Sequence, residues 1–241
     1  MGSQQLLTIQ RAVQYLAQIA DGGPVTVQAL AERFGVPAST AYRYVASLRH
    51  AGMLWDLPGG RLGLGPRCVQ LEMGFRQALD QWSPYRPVMS ELAALTGETV
   101  TLLVPVEDEA VCIDTVDSDK PLRFSLARGV ARPLLRSALS TAMLPYLPAE
   151  QLDRLLAREP RPDAARRERL LSDLPVVRAR GYTVSRDEVD CGVWAVGVPV
   201  FDQAGACQGA LSTIAPNFRT EGREPFLIRA TVEAGRHLLL R

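Results

Sequence analysis

Two features of this 241-residue sequence predict an α+β chain in two parts. Residues 1–66 hold three short helical patterns and then a Gly-rich hairpin, and the remainder alternates hairpin-linked strands with amphipathic helices. Apolar residues make up 47% and charged residues 22%, enough for ordered cores and against disorder.

Along the first part, Leu6, Leu7, Ile9, Val13, Leu16, Ile19 and Ala20 recur at helical spacing, and Asp21-Gly22-Gly23-Pro24 stops that helix. Thr26 is an N-cap for a second helix with Val27, Leu30, Ala31 and Phe34 inward. Gly35 supplies the left-handed residue of a tight helix-helix turn. Pro37 and Ser39 open a third helix, Ala38 to Ala51, whose inward stripe is Ala41, Val45 or Tyr44, and Leu48. That leaves Ser39, Thr40, Tyr42, Arg43 and Ser47 outward, residue types that bond phosphates and base edges in the major groove. On a lone helix the same face reads equally as a solvated surface. The next segment decides between them. Met53–Asp56 alternates as a strand, Leu57-Pro58-Gly59-Gly60 turns, and Arg61–Leu64 returns, so Arg61 sits at the tip of a wing near a minor-groove phosphate. Three helices and a hairpin in this order predict a winged helix-turn-helix DNA-binding domain over 1–66. Its charge agrees: residues 1–67 carry six arginines against three acids, whereas the remainder is slightly acidic.

Gly65-Pro66 opens a helix over 67–82, with Cys68, Leu71, Phe75 and Leu79 on one stripe. It reads as a linker helix packing against its counterpart in a partner chain, or as the first helix of the second domain, 83–241. There the pattern predicts a helix over Tyr85–Leu95, strands over Thr99–Val106, Val111–Val116 and Leu122–Ala127, and a helix from Ser137 to Leu147. Charged helices follow over Glu150–Arg158 and Ala164–Arg180. A strand follows Gly181-Tyr182, Val193–Phe201 and Gly209–Ile214 form a hairpin, and a last helix spans Pro225–Leu240. Hairpin connections with helices on the faces imply an antiparallel sheet.

Several function classes lack their residues. No apolar stretch reaches the roughly 20 residues of a membrane span, and the N-terminus has no signal pattern, so the cytoplasm is the expected compartment. Cys68, Cys112, Cys191 and Cys207 form no CxxC pair, and His50 and His237 lie outside any ligand spacing, so no metal and no cofactor is expected. Ser137, Ser140, Asp187 and Glu188 could be imagined as a nucleophile and acid pair, but there is no G-x-S-x-G elbow and no phosphate loop. A thiol redox sensor at Cys191 is a second alternative. Its neighbours Asp187, Glu188 and Asp190 would hold a thiol protonated, with Arg186 a partial offset. A wing domain that serves a protein partner is the third.

The run L-A-E-R-F-G-V-P-A-S-T-A-Y-R-Y-V-A-S-L (30–48) resembles the helix-turn-helix of the IclR family of bacterial transcription regulators. R-G-V-A-R-P-L-L-R-S-A-L-S-T-A-M-L (128–144) is similar to the family's loop-and-helix signature. R-G-Y-T-V-S-R-D-E-V-D-C-G-V-W-A-V-G-V-P-V-F-D (180–202) with G-A-L-S-T-I-A-P (209–216) is the closest resemblance, and together these cover essentially the whole chain. The resemblance implies a GAF-like effector-binding domain and a homo-oligomer, a dimer or dimer of dimers, on double-stranded operator DNA with inverted half-sites. It also implies a small organic acid or aromatic effector, held near Ala138 and Leu139, then Ser185, Val193 and Ala195, and finally Ser212 and Ile214. Ser140-Thr141, Ser185-Arg186, Ala195 and Ile214 depart from what relatives commonly carry. They imply a less polar pocket, suited to an aromatic carboxylate or related amide with backbone N–H groups and Ser212 at its polar end.

Overall fold

A computed structural model describes residues 2–82, 85–158 and 164–240 of the chain, which divides into two units, Met1–Gln81 and Trp82–Arg241. In the first, α1 (Gly2–Gly22), β1 (Val25–Thr26), α2 (Val27–Arg33), α3 (Ala38–His50), β2 (Leu54–Leu57), β3 (Arg61–Leu64) and α4 (Pro66–Trp82) follow in order. Thr26 caps α2 by accepting from the Ala29 N–H at 3.2 Å, which satisfies one of the donors a helix start leaves free. Gly35 has φ +60°, the left-handed turn between α2 and α3. Ala41, Val45 and Leu48 of α3 are buried against Tyr15, Ile19, Leu30 and Leu62, each Val or Leu contributing about 1.5–3 kcal/mol of transfer free energy. Val45, rather than Tyr44, forms the stripe; Tyr44 is half-buried edge-on to Tyr15. The hairpin β2–β3 gains a third strand absent from the sequence reading, because Val25 and Thr26 pair with Leu62 and Arg61.

Part of the apolar spacing faces outward. On α1, Ile9 is 65% and Val13 58% exposed, while Tyr15 and Ile19 supply the core contact. On α4, Leu71 and Phe75 of the predicted stripe are exposed together with Val69 and Met73, and Cys68 is half-buried. The side chains of Leu6, Leu7 and Leu79 lie outside the described residues.

The second unit runs α5 (Tyr85–Thr96), β4 (Thr99–Val106), β5 (Glu109–Val116), β6 (Ala131–Pro133), α6 (Ala138–Thr141), α7 (Ala149–Arg158), α8 (Ala164–Arg180), β7 (Thr183–Arg186), β8 (Val193–Asp202), β9 (Cys207–Pro216), α9 (Glu224–His237) and β10 (Leu239–Leu240). The sheet order is β10-β8-β9-β4-β5-β6, with β7 beside β8. All its pairs are antiparallel except β10 on β8, where the chain returns after α9 in the direction of β8. Residues of β8 alternate between two cores. Trp194 and Val196 join Ala215 of β9 and Leu227 of α9. Ala195, with Ala210 and Ile214 of β9, joins Leu139 of α6 and Leu155 of α7.

Three expectations fail here for identifiable reasons. Leu122–Ala127 is not a strand. Its backbone is held by side chains instead: Arg219 Nη1 donates to Leu122 O at 2.5 Å and Thr99 Oγ1 to Phe124 O at 2.6 Å. The strand on β5 is β6, which begins nine residues after Leu122, with Ala110 opposite Arg132. The helix from Ser137 stops at Thr141, since Pro145 has no N–H to continue it, and a 3-10 turn covers Leu144–Tyr146. The final helix ends at His237, where Leu239 and Leu240 pair with Phe201 and Asp202.

Glu98, fully buried just before β4, binds three cations: Arg219 bidentately at 2.7 to 3.2 Å, Lys120 at 3.1 Å and Arg223 at 3.3 Å. Glu98→Gln removes the charge that holds them together. It is expected to destabilise this unit by roughly 2–4 kcal/mol, read as an earlier urea transition with the transition of the first unit unmoved.

Candidate nucleic-acid interface and effector cavity

Helix α3 presents a polar surface because its three core contacts use one side of 13 residues. Ser39, Tyr42, Arg43 and Ser47 are exposed and Thr40 is half-buried. Tyr42 is 57% exposed, a large ring with no core contact. The Arg43 guanidinium has no hydrogen-bond or ion-pair partner among the described residues, whereas Arg49 at the far end pairs with Asp56 of β2 and ties the helix to the wing. The Ser47 hydroxyl donates to Arg43 O at 3.1 Å, so it is partly engaged by its own helix. At the wing, Gly59 and Gly60 have φ +77° and +69°, and Arg61 follows them, exposed, its Nε 3.4 Å from Pro58 O. Trp55 on β2 is 58% exposed beside this turn, a ring the sequence reading did not single out.

In the second unit a narrow cavity of about 20 Å³ lies between β8, β9, α6 and the β7–β8 loop. Phe124, Leu139, Val193, Ala195 and Ile214 form apolar walls, and Ser137, Ser185, Arg132, Glu188, Val189 and Asp190 complete the lining. Five of the seven sequence-predicted residues are brought together: Leu139, Ser185, Val193, Ala195 and Ile214. Ala138 and Ser212 are not part of the lining. Ala138 is the contact that sets α6 on the sheet. A Cβ on Gly197 would fall 1.9 Å from its carbonyl oxygen, so only glycine permits the approach. Thr183 Oγ1 donates to that same carbonyl at 3.1 Å, and Ala138 N donates to Ser185 Oγ at 3.0 Å.

The N–H groups of Ala138 and Leu139 are taken by Ser185 and Ser137, and those of Ser140 and Thr141 by the Ser137 carbonyl, so they are committed within the chain. Ser212 is opposite Gly197 and next to Thr101 in register. Both hydroxyls are fully buried without a partner among the described residues. Phe124, Arg132, Ser137, Glu188, Val189 and Asp190 line the cavity without having been predicted as part of it. Arg132 lies within the 128–144 signature, where its spacing to the cavity gives no signal until β6 is placed against β5.

A DNA-reading winged helix-turn-helix and a curled sheet with a cavity, in one chain, define a transcription regulator. Known proteins agree. Residues 8–55 match the IclR helix-turn-helix domain, and residues 77–238 match the C-terminal part of the bacterial transcriptional regulator IclR. The chain is 27% identical over 235 residues to the HTH-type transcriptional regulator KipR of Bacillus subtilis, across 94% of this chain and 93% of that one. It is 27% identical over 223 residues to the transcriptional repressor IclR of Escherichia coli, across 88% and 81%. A crystal structure of an IclR transcriptional regulator from Silicibacter sp. TM1040 superposes with a TM-score of 0.83 at 24% identity, over 95% of this chain and 94% of that one. The C-terminal domain of a transcriptional regulator from Vibrio cholerae is 34% identical, with a TM-score of 0.56, over 63% of this chain and 92% of that one. The chain belongs to the IclR family of bacterial transcriptional regulators; its named relatives are regulators and not enzymes.

The thiols differ sharply in environment. Burial, with the Asp114 carboxylate adding to it, pushes Cys112 up to about 12, and burial pushes Cys207 up to about 11. Cys191 is exposed on the β7–β8 loop. Thiolate is the reacting form, so a disulfide reagent at pH 8 is expected to label Cys191 in the folded protein and Cys112 only after denaturation. Equal rates at the two positions would contradict this packing.

Proposed function

We propose that the chain is a repressor that acts in the cytoplasm as a homodimer, reading inverted operator half-sites with α3 and the β2–β3 wing. The observation that carries this reading is the uncommitted polar face of α3. Ser39, Thr40, Tyr42 and Arg43 lie at the helix end that enters a major groove, and Arg61 lies on the wing beside it. Relatives named as repressors, IclR and AllR of Escherichia coli, support the direction of the output. Among the described residues no helix is long and apolar enough to cross a membrane, in keeping with a DNA-bound role.

The effector in this reading is an organic acid with an apolar, aromatic body, since six of the eleven lining residues carry apolar side chains. Its differential affinity for two placements of the reading heads would change operator affinity by about 1–3 kcal/mol. Self-association is supported by the apolar residues that α1 and α4 leave exposed, Ile9, Val13, Val69, Leu71, Met73 and Phe75. Leu71→Glu combined with Phe75→Glu is expected to halve the mass in sedimentation equilibrium; an unchanged mass would place the interface elsewhere.

Fluorescence anisotropy on DNA upstream of the protein's own gene tests the reader. Binding is expected to fall steeply with salt, and Arg43→Ala to weaken it by about 1–3 kcal/mol. Shallow binding indifferent to sequence and to Arg43 would assign the winged unit to a protein partner.

A further inference from the structure

We propose that Arg132 takes the carboxylate of the effector, and that Asp190 of the β7–β8 loop occupies its guanidinium as a stand-in anion until the effector arrives. This rests on the reading of the cavity as the effector site. Arg132 is the only cation among the residues that line it. Its backbone is fixed on β6 opposite Ala110, so the guanidinium is delivered from the sheet rather than from a loop. Its side chain is 27% exposed against 44% for Asp190, which makes the cation the more enclosed member of the pair.

The pair is poorly seated. Arg132 Nη2 and Asp190 Oδ2 are 3.5 Å apart, whereas a charge-assisted bond between such groups closes to about 2.7–2.9 Å. A partly exposed pair at that length contributes little, so a ligand carboxylate that reaches the guanidinium at ordinary distance displaces it. The loop permits the exchange. Its base is clamped: Asn217 Nδ2 donates to both Asp187 oxygens at 2.9 Å, and Asn217 N donates to Gly192 O at 2.8 Å. Among the described bonds its tip is held only by the Arg132–Asp190 pair and a 3.3 Å bond from Val193 N to Asp190 O. Asp190 can therefore swing away, carrying Val189 off the mouth, while β7 and β8 stay paired.

The opposite chemistry, an amine held by Asp190 and Glu188, is the weaker fit. Glu188 is exposed and both acids ride on the tip, so an amine would meet solvated carboxylates at the rim. The hydroxyls nearest the guanidinium's cavity, Ser137 and Ser185, already accept N–H groups of Leu139 and Ala138. The ligand's charge is left to Arg132.

Calorimetry on the full chain with benzoate, benzamide and benzylamine separates these readings across wild type, Arg132→Gln, Arg132→Lys and Asp190→Asn. Benzoate is expected to bind Asp190→Asn about tenfold tighter than wild type and Arg132→Gln about tenfold weaker, with Arg132→Lys recovering part of the loss. Benzamide should be indifferent to all three. Amide exchange at residues 189–191 should quicken both in Asp190→Asn without ligand and in wild type with benzoate. The proposal is overturned if benzoate fails to bind Asp190→Asn, if its affinity is the same in every variant, or if wild type prefers benzylamine. Operator binding of the ligand-free protein is measured separately, so loss of the DNA reading and loss of the anion site give different results.

Discussion

The second unit is organised around one buried carboxylate. Glu98 has no access to solvent, and an isolated charge there would cost several kcal/mol. Three cations from two stretches of chain, Lys120 from one and Arg219 with Arg223 from the other, answer it, and each brings further bonds. Arg219 also donates to Leu122 O, Arg223 to Thr96 O, and the Lys120 backbone N–H to the Ser118 hydroxyl oxygen. The end of α5, the start of β4, the extended segment after β5 and the entry to α9 therefore meet at one point. The adjacent Thr99 then fixes Phe124 by its carbonyl, and Phe124 is a wall of the cavity. A residue that never touches the cavity thus determines part of its shape.

The other determinant is a missing side chain. Gly197 lets the Ala138 carbonyl lie against β8, and Thr183 and Ser185 of β7 bond the same residue from the side. The short α6 is thereby held by three strand residues rather than by its own length, which at four residues would not sustain a helix in isolation. Ser137, at φ +74°, turns the chain into it and places its hydroxyl on the Leu139 N–H. Cavity and sheet are consequently one packed object on this side.

Local rules made much of this legible from the residues. The Thr26 cap, the Gly35 turn, the α3 stripe and the β8–β9 hairpin are short-range features, and each could be read from spacing and turn chemistry. What escaped reading depended on partners far along the chain. Leu122–Ala127 has strand-like composition, but its carbonyls are claimed by Thr99 and Arg219, 25 and 97 residues away in the two bonds. Ile9 and Val13 share the apolar spacing of Ile19, and spacing cannot tell a core contact from a surface left for another chain. Arg132 is silent in sequence because an arginine before proline has no signature until a sheet edge carries it to a cavity.

The cavity's walls come from two kinds of structure with different tolerance to change. Ala195 and Ile214 are interior sheet residues, where added bulk costs about 1–3 kcal/mol through repacking. Val189 and Asp190 are on a loop tip whose base is clamped independently, where most substitutions cost no more than about 0.5 kcal/mol. A lineage carrying this fold can therefore acquire a new chemical preference by altering the rim alone, keeping its folding stability and its wing untouched, and only a change in ligand size requires the sheet itself to drift.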